Sequence, residues 1–335
     1  MFIIGAAFAY LLLVLLKRLR ILNSYHEQVI MLACVNIIMT SSLNLVNGFT
    51  GQFSIGHAGF MAIGAYVSAT LTTLFFRTSS WPGFASIPFF LTTLVVGGLV
   101  AGFVGFLIGL PSLNIKGDYL AIVTLGAGEI IRSIFNLIQY VGGARGMIGI
   151  PRYSTVFIVF AITVIICLLI RNYVYSIHGR ASIAIRENEV AASAMGINLT
   201  RYKTQAFVVA AFFAGIAGGL FAHITMFIQP EQFKYTKSID YLVFMYAGGT
   251  GSISGSILGA GILTVLQEVL RFLDDWRMVI YALALIIIML RRQNGIYGGK
   301  EFPILRMNNY LINGDPPLFH AKRPFKFLKI RKGES

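Results

Sequence analysis

The sequence predicts an all-α polytopic membrane protein of about eight to ten transmembrane helices, with glycine-broken segments and a possible internal two-fold repeat. Three observations carry that expectation. Hydrophobic residues make up 56% of the 335 positions, mean hydropathy is +0.76 and only 12% are charged, against roughly a quarter in a soluble domain. The apolar runs are long and continuous rather than alternating with period two, which selects helices over a barrel. The 35 glycines suit close helix packing and interrupted helices, because a residue without Cβ lets backbones approach.

Apolar segments lie at 2–16, 28–47, 56–76, 87–110, 119–141, 154–171, 204–228, 239–270 and 277–290, the eighth being long enough for two passes. Residues 2–16 lack a basic leading region and a small-residue cleavage site, so they read as a retained span rather than a removed signal. Cys34 and Cys167 fall inside apolar segments, where neither a disulfide nor a metal site is expected. The net charge of +14 gathers in loops and in the tail, which fits a positive-inside bias better than nucleic-acid binding. Arg171, Arg180, Arg186, Arg201 and Lys203 in one loop, and Arg291 and Arg292 near the end, place both regions and the C-terminus in the cytoplasm. The cluster Lys17, Arg18, Arg20 fits simple alternation less easily, so one segment is re-entrant or miscounted.

Two stretches are dense in glycine. Residues 47–65, NGFTGQFSIGHAGFMAIGA, interrupt two apolar runs, and 247–261, AGGTGSISGSILGAG, does the same in the second half. Thr50-Gly51-x-x-Ser54 recurs as Thr250-Gly251-x-x-Ser254. Paired glycine-interrupted segments in two halves of a membrane protein point to a pseudo-symmetric transport pathway, although a match this short also arises by chance in glycine-rich sequence. Irregular backbone at membrane depth survives only where protein or a wet cavity covers it. Its free N–H groups near 50–57 and 250–256 are candidates to meet a carboxylate. Gly56 and His57 belong to the same break, and a lone imidazole there is either a hydrogen-bonded packing residue or a proton relay or ligand.

Residues 117–141, GDYLAIVTLGAGEIIRSIFNLIQYV, place Asp118, Ile122, Leu125, Glu129, Arg132, Asn136 and Gln139 along one helical stripe. Lipid would not tolerate that face, so it is expected to point into the protein. Glu129 and Arg132 can pair three residues apart, which lowers the cost of either charge. The pair either locks helix packing or lines the solute path.

The stretch from Tyr175 to Leu199, YSIHGRASIAIRENEVAASAMGINL, is a charged insert between apolar segments. It belongs in water. One surface helix over roughly 182–195 is expected, with Glu187 and Glu189 in its first half, Ile185, Ala192 and Met195 on a shared face, and Gly196 with Asn198 as the stop. It either rests on the membrane interface or meets a partner. Residues 299–335 form a basic tail in which KRPFKFLKIRK (322–332) suits the anionic inner leaflet or a disordered extension. No HxxxH, carboxylate dyad, GxSxG or phosphate-binding loop is present, so neither a catalytic centre nor a cofactor site is expected.

Four blocks together resemble the LivM-type permeases of branched-chain amino acid ABC importers: 43–66, 117–132, 179–198 and 247–261. The resemblance spans about 24–298 and implies a permease domain at 1–298 in a bacterial-type inner membrane. It also implies a second related permease, two cytoplasmic ATPase subunits that do the hydrolysis, and an extracytoplasmic solute-binding protein. The family's coupling loop maps onto Glu189, Ala191, Ala192 and Gly196, with Arg180, Arg186 and Glu187 ahead of it. Two positions depart from the family pattern. GGARGMIG carries Ala144 and Arg145 where Pro-Asn is usual, and Arg292-Gln293-Asn294-Gly295-Ile296 replaces Arg-Pro-x-Gly-Leu. Urea, short amides or another amino acid remain open as solutes, as does an ion-coupled transporter using Asp118, Glu129 and His57.

Overall fold

Apolar residues without period-two alternation can satisfy their backbone in a membrane only as helices, and helices account for nearly all of the structure. The computed structural model describes residues 23–78, 83–112, 119–291, 295–297 and 301. All of these fall in one compact unit, 1–305; the 2–16 segment, Asp118 and the tail beyond 301 lie outside the described residues.

The helices are α1 (Ser24–Asn44, continued by a π turn over Leu45–Phe49), α2 (His57–Thr78), α3 (Gly83–Ser112), α4 (Tyr119–Leu137), α5 (Val156–Tyr175), α6 (Ile177–Glu187), α7 (Glu189–Ala194), α8 (Leu199–Thr225), α9 (Tyr235–Gly248), α10 (Ile253–Val269) and α11 (Arg277–Arg291). Among the described residues, six stretches are long and apolar enough to cross a membrane: Ser24–Phe49, Ile87–Pro111, Tyr119–Leu137, Val156–Tyr175, Leu199–Thr225 and Ile253–Phe272. The long 239–270 segment becomes two helices. Gly249 and Gly251 both adopt positive φ, +128° and +68°, and reverse the chain between α9 and α10.

α1 and α8 lie at the centre, the most deeply buried of the membrane-length helices. The last turns of α1 bury Ile38, Met39, Leu43 and also Thr40, Ser41, Ser42 and Asn44. Asn36 Nδ2 donates to Thr264 Oγ1 at 2.9 Å and so ties α1 to α10. Glycine sets the spacing of α2, α3 and α8. A Cβ on Gly64 would stand 1.9 Å from the Gly215 carbonyl oxygen, and one on Gly218 would stand 1.9 Å from the Met61 carbonyl oxygen. These are backbone-to-backbone seams, the mode that membrane helices use when apolar burial no longer distinguishes neighbour from lipid. α3 turns Leu99, Phe103 and Leu107 outward, an i, i+4 row suited to hydrocarbon.

At the end opposite the insert, a two-residue antiparallel pairing joins β1 (Met147–Ile148) to β2 (Phe227–Ile228). In GGARGMIG the left-handed positions are Gly142, Gly143, Gly146 and Gly149. Ala144 and Arg145 occupy a 3-10 turn between them with both side chains exposed. The loop turns on these glycines, and the two departing residues lie on its surface.

Candidate functional site

The insert is two capped helices rather than one. Ser176 accepts from Gly179 N–H to start α6. Asn188, at φ −161° and ψ 109°, ends α6 and caps α7 by accepting from Ala191 N–H at 3.0 Å. Asn198 then caps α8 by accepting from Arg201 N–H. An extended asparagine whose side chain takes an orphan N–H stops one helix and begins another. Glu187 therefore sits at the C-terminus of α6, not in the first half of a helix, while Glu189 does open α7. Gly196 has φ +82° with open space around it. The bonds Ile197 N–H to Ala192 O and Gly196 N–H to Ser193 O close a Schellman-type stop.

The Asn188 break divides the face expected of a single helix. Ile185 and Ala192 are buried against the bundle, but Met195 is 83% exposed and Val190 is 78% exposed. Val190 and Met195 stand at the outer side of the hairpin, with Ala191 exposed beside them. Arg180 and Glu187 are also exposed. Glu189 turns inward enough to accept from Lys203 Nζ at 2.6 Å, and Lys203 itself is only 5% exposed.

Arg186 reaches into the bundle. Its Nη1 donates to Gly48 O at 2.9 Å, and Nε and Nη2 donate to Glu187 Oε1 at 3.1 and 2.5 Å. Both glycine turns close on this side chain. Gly51 (φ +73°) and Gly251 (φ +68°) share the left-handed conformation, and a Cβ there would lie 2.8 Å from Arg186 Cγ and 2.9 Å from Arg186 Nη1 respectively. Gly51 and Gly251 thus share a positive φ and a neighbour. Their serines diverge: Ser54 N–H donates to Asn47 Oδ1 from extended chain, whereas Ser254 lies in the first turn of α10. Thr50 Oγ1 closes onto Leu45 O at 2.9 Å, and Thr250 is exposed.

Asn44 is the hub that sequence reasoning missed. Its Nδ2 donates to Ser252 O and Ser256 Oγ at 2.9 and 2.8 Å, and its Oδ1 accepts from Gly251 N–H at 2.9 Å. A buried amide in an apolar helix is costly unless satisfied, and that was the available signal.

Several of the N–H groups at the two breaks have partners within the chain: Gln52 donates to Val46 O, Ser54 to Asn47 Oδ1 and Gly251 to Asn44 Oδ1. Ile55 donates to Thr124 Oγ1, and Ala58 donates to Ser238 Oγ. At the second break the carboxylate is the chain's own: Glu301 accepts from Ile253 N–H at 2.7 Å, from Ser254 N–H at 3.0 Å and from the Ser254 hydroxyl. His57 is buried with Nε2 2.8 Å from Ser42 Oγ, and Gly56 packs onto the Thr124 backbone.

The polar stripe of α4 does not turn into the protein as expected. α4 buries Leu120, Ala121, Thr124 and Ile131, a neighbouring face, and leaves Ile122 and Asn136 exposed, as is Gln139 in the 3-10 turn that follows. Glu129 and Arg132 lie between, half-buried. Arg132 Nε donates to Glu129 Oε2 at 2.7 Å, Arg132 Nη1 to Glu231 Oε1 at 3.0 Å, and Tyr235 N–H to Glu129 Oε1 at 3.0 Å. Lys234 pairs with Glu231 and holds that carboxyl below its ordinary range. A shallow crevice too tight to hold a water molecule joins this cluster to the first glycine break, lined by Ile55, Ala58, Gly59, Leu125, Gly128 and Glu129 together with Phe233, Tyr235 and Ser238.

Residues 25–289, which contain both glycine turns, the insert and the α4 cluster, match the family model described as branched-chain amino acid transport system / permease component. The chain belongs to this family. That places it among transporter permeases, not among enzymes, as a multi-pass membrane protein. It is 32% identical over 319 residues to the high-affinity branched-chain amino acid transport system permease protein LivM of Escherichia coli strain K12, covering 85% of this chain and 72% of that one. The corresponding LivM of Salmonella typhimurium is 33% identical over 297 residues, 78% of this chain and 67% of the relative. LivH of Escherichia coli K12 is 22% identical over 275 residues, 77% and 89% of the two chains. No solved structure matches the chain.

Proposed function

We propose that this chain is one of two related permease subunits of an ABC importer for branched-chain amino acids, turned from the cytoplasm by partner ATPases that seat on the 177–196 hairpin. Kinship to both LivM and LivH supports a pair of related permeases. The solute follows from the names those relatives carry. A solute-binding protein would deliver it at the β1–β2 end. No group in this chain is assigned to hydrolysis, which belongs to the ATPases.

The observation that carries the coupling role is the outward pair Val190 and Met195. Apolar side chains this exposed on a short, doubly capped hairpin amid arginines suit burial in a partner's groove, not a free aqueous surface. The cationic loop residues support a cytoplasmic position for this end, and Glu301 and the C-terminal side would lie there with it. Closure of the ATPases would move the hairpin as a lever and shift access between two states. The exposed polar edge of α4, with Glu129, Arg132 and the crevice beside them, would face the second permease and line the path between the subunits. Residues 299–335 would form a cytoplasmic tail that meets anionic lipid.

The test is Val190→Asp with Met195→Asp in the assembled importer. Co-purification of the ATPases and amino acid uptake should both be lost, while the permease pair stays folded and associated. Unchanged ATPase capture and uptake would overturn the coupling role.

A further inference from the structure

We infer that Arg186 is the positioning residue that carries motion of the hairpin to both glycine turns, acting inward on the bundle instead of outward on the ATPase. This rests on the coupling role proposed above and assigns the transmission step within it. Through the chain itself, the hairpin can pull only on α5 and α8, the helices that flank it. Arg186 adds a grip on helices distant in sequence. Its Nη1 holds the Gly48 carbonyl in the closing π turn of α1, at a helix end whose unpaired carbonyls favour a cation. Its stem lies under Gly51, where the chain leaves α1 for α2, and its Nη1 edge lies against Gly251, where α9 reverses into α10.

Glu187 accepts two donors on the guanidinium's other edge and fixes the plane that meets those turns. Asn44 bonds Gly251, Ser252 and Ser256 across the same seam, so α1 and α10 move as one body when Arg186 moves. Both glycines are required for their backbone angle, and at Gly51 a Cβ would also press on the Arg186 stem; at Gly251 it would meet the movable Nη1. A lysine would supply a charge but not a planar fork that reaches a carbonyl while keeping a carboxylate on its other edge.

The experiment uses the complete importer in proteoliposomes, comparing Arg186→Ala and Arg186→Lys with the unaltered protein for ATPase retention, ATP hydrolysis and leucine uptake. Both variants should keep the ATPases bound and hydrolysis within about twofold, while uptake per ATP falls roughly ten- to a hundredfold, the range set by one hydrogen bond to a charged group. Lysine should not rescue it. If Arg186→Ala fails to assemble, the lysine variant decides by the same ratio. Unaltered uptake per ATP in an assembled variant would overturn the inference, as would ATPase loss with both substitutions, which would make Arg186 part of the docking surface. Failure of the coupling role itself is distinguishable: it would appear as uptake persisting after Val190 and Met195 are made acidic, whatever Arg186 does.

Discussion

Gly64→Ala adds a single methyl where α2 crosses α8, and the structure fixes what that methyl meets. Its carbon would lie 1.9 Å from the Gly215 carbonyl oxygen and 2.4 Å from the Gly215 Cα, all backbone, with no flexible side chain able to swing aside. To reach even the 3.0 Å that real Cβ contacts essentially never breach, the helices must part by about 1.1 Å. A gap of 0.5–1 Å already forfeits about a quarter to a half of each atom pair's attraction. Overpacking a core costs roughly 1–3 kcal/mol, and a backbone seam with no way to relax belongs at or above the top of that range. Gly261→Ala is the opposing control, because nothing stands within 4 Å of its Cβ position and alanine favours a helix interior over glycine by about 0.8–1 kcal/mol. Purified protein in detergent should therefore unfold several degrees earlier on heating with Gly64→Ala, and no earlier with Gly261→Ala. Equal melting of Gly64→Ala and the unaltered protein would refute the close-packed seam. Equal losses in both would show that glycine count, not position, controls stability.

Glu301→Gln removes the carboxylate from three donors at the start of α10 and should cost roughly 1–3 kcal/mol, read as faster amide exchange at 253–256. His57→Phe removes the imidazole–Ser42 hydrogen bond but leaves the Ser42 hydroxyl on the Met39 carbonyl, and should lower stability by about 0.5–1.5 kcal/mol. It should leave the pH profile of uptake in place; an altered profile would restore the proton-relay alternative. Glu231 titrates below its ordinary value of 4.5 because Lys234 hydrogen-bonds it, with Lys234 and Arg132 adding opposite charge. Its contribution is thus present above that value and lost as pH falls through the lowered one, so a carboxyl NMR titration of Glu231 should move upward in Arg132→Ala and in Lys234→Ala.

Much of this protein was legible in one dimension. Uninterrupted apolar runs require helices, because a backbone in lipid must satisfy itself, and the glycine clusters marked where those helices stop. The charged insert was evident because lipid excludes it, and Gly196 proved a helix stop on the strength of its positive φ. The split of the insert at Asn188 was also available, as an asparagine poised to cap, but helix propensity summed over the surrounding alanines outweighed one residue.

What only the folded chain decided was which distant groups meet. The stripe on α4 had the right period and the wrong neighbour: periodicity gives the angle between faces, but not which face another helix covers, and here Gly56 and Gly59 take the adjoining one. Asn44, Arg186 and Glu301 stand far apart in sequence. Each is an ordinary polar residue there, and each becomes specific only when packing brings it to a glycine turn whose N–H or carbonyl would otherwise be left unpaired. Composition and period are local properties and can be read along a chain, whereas the pairing of buried polar groups depends on three-dimensional proximity, and so tertiary structure alone assigns it.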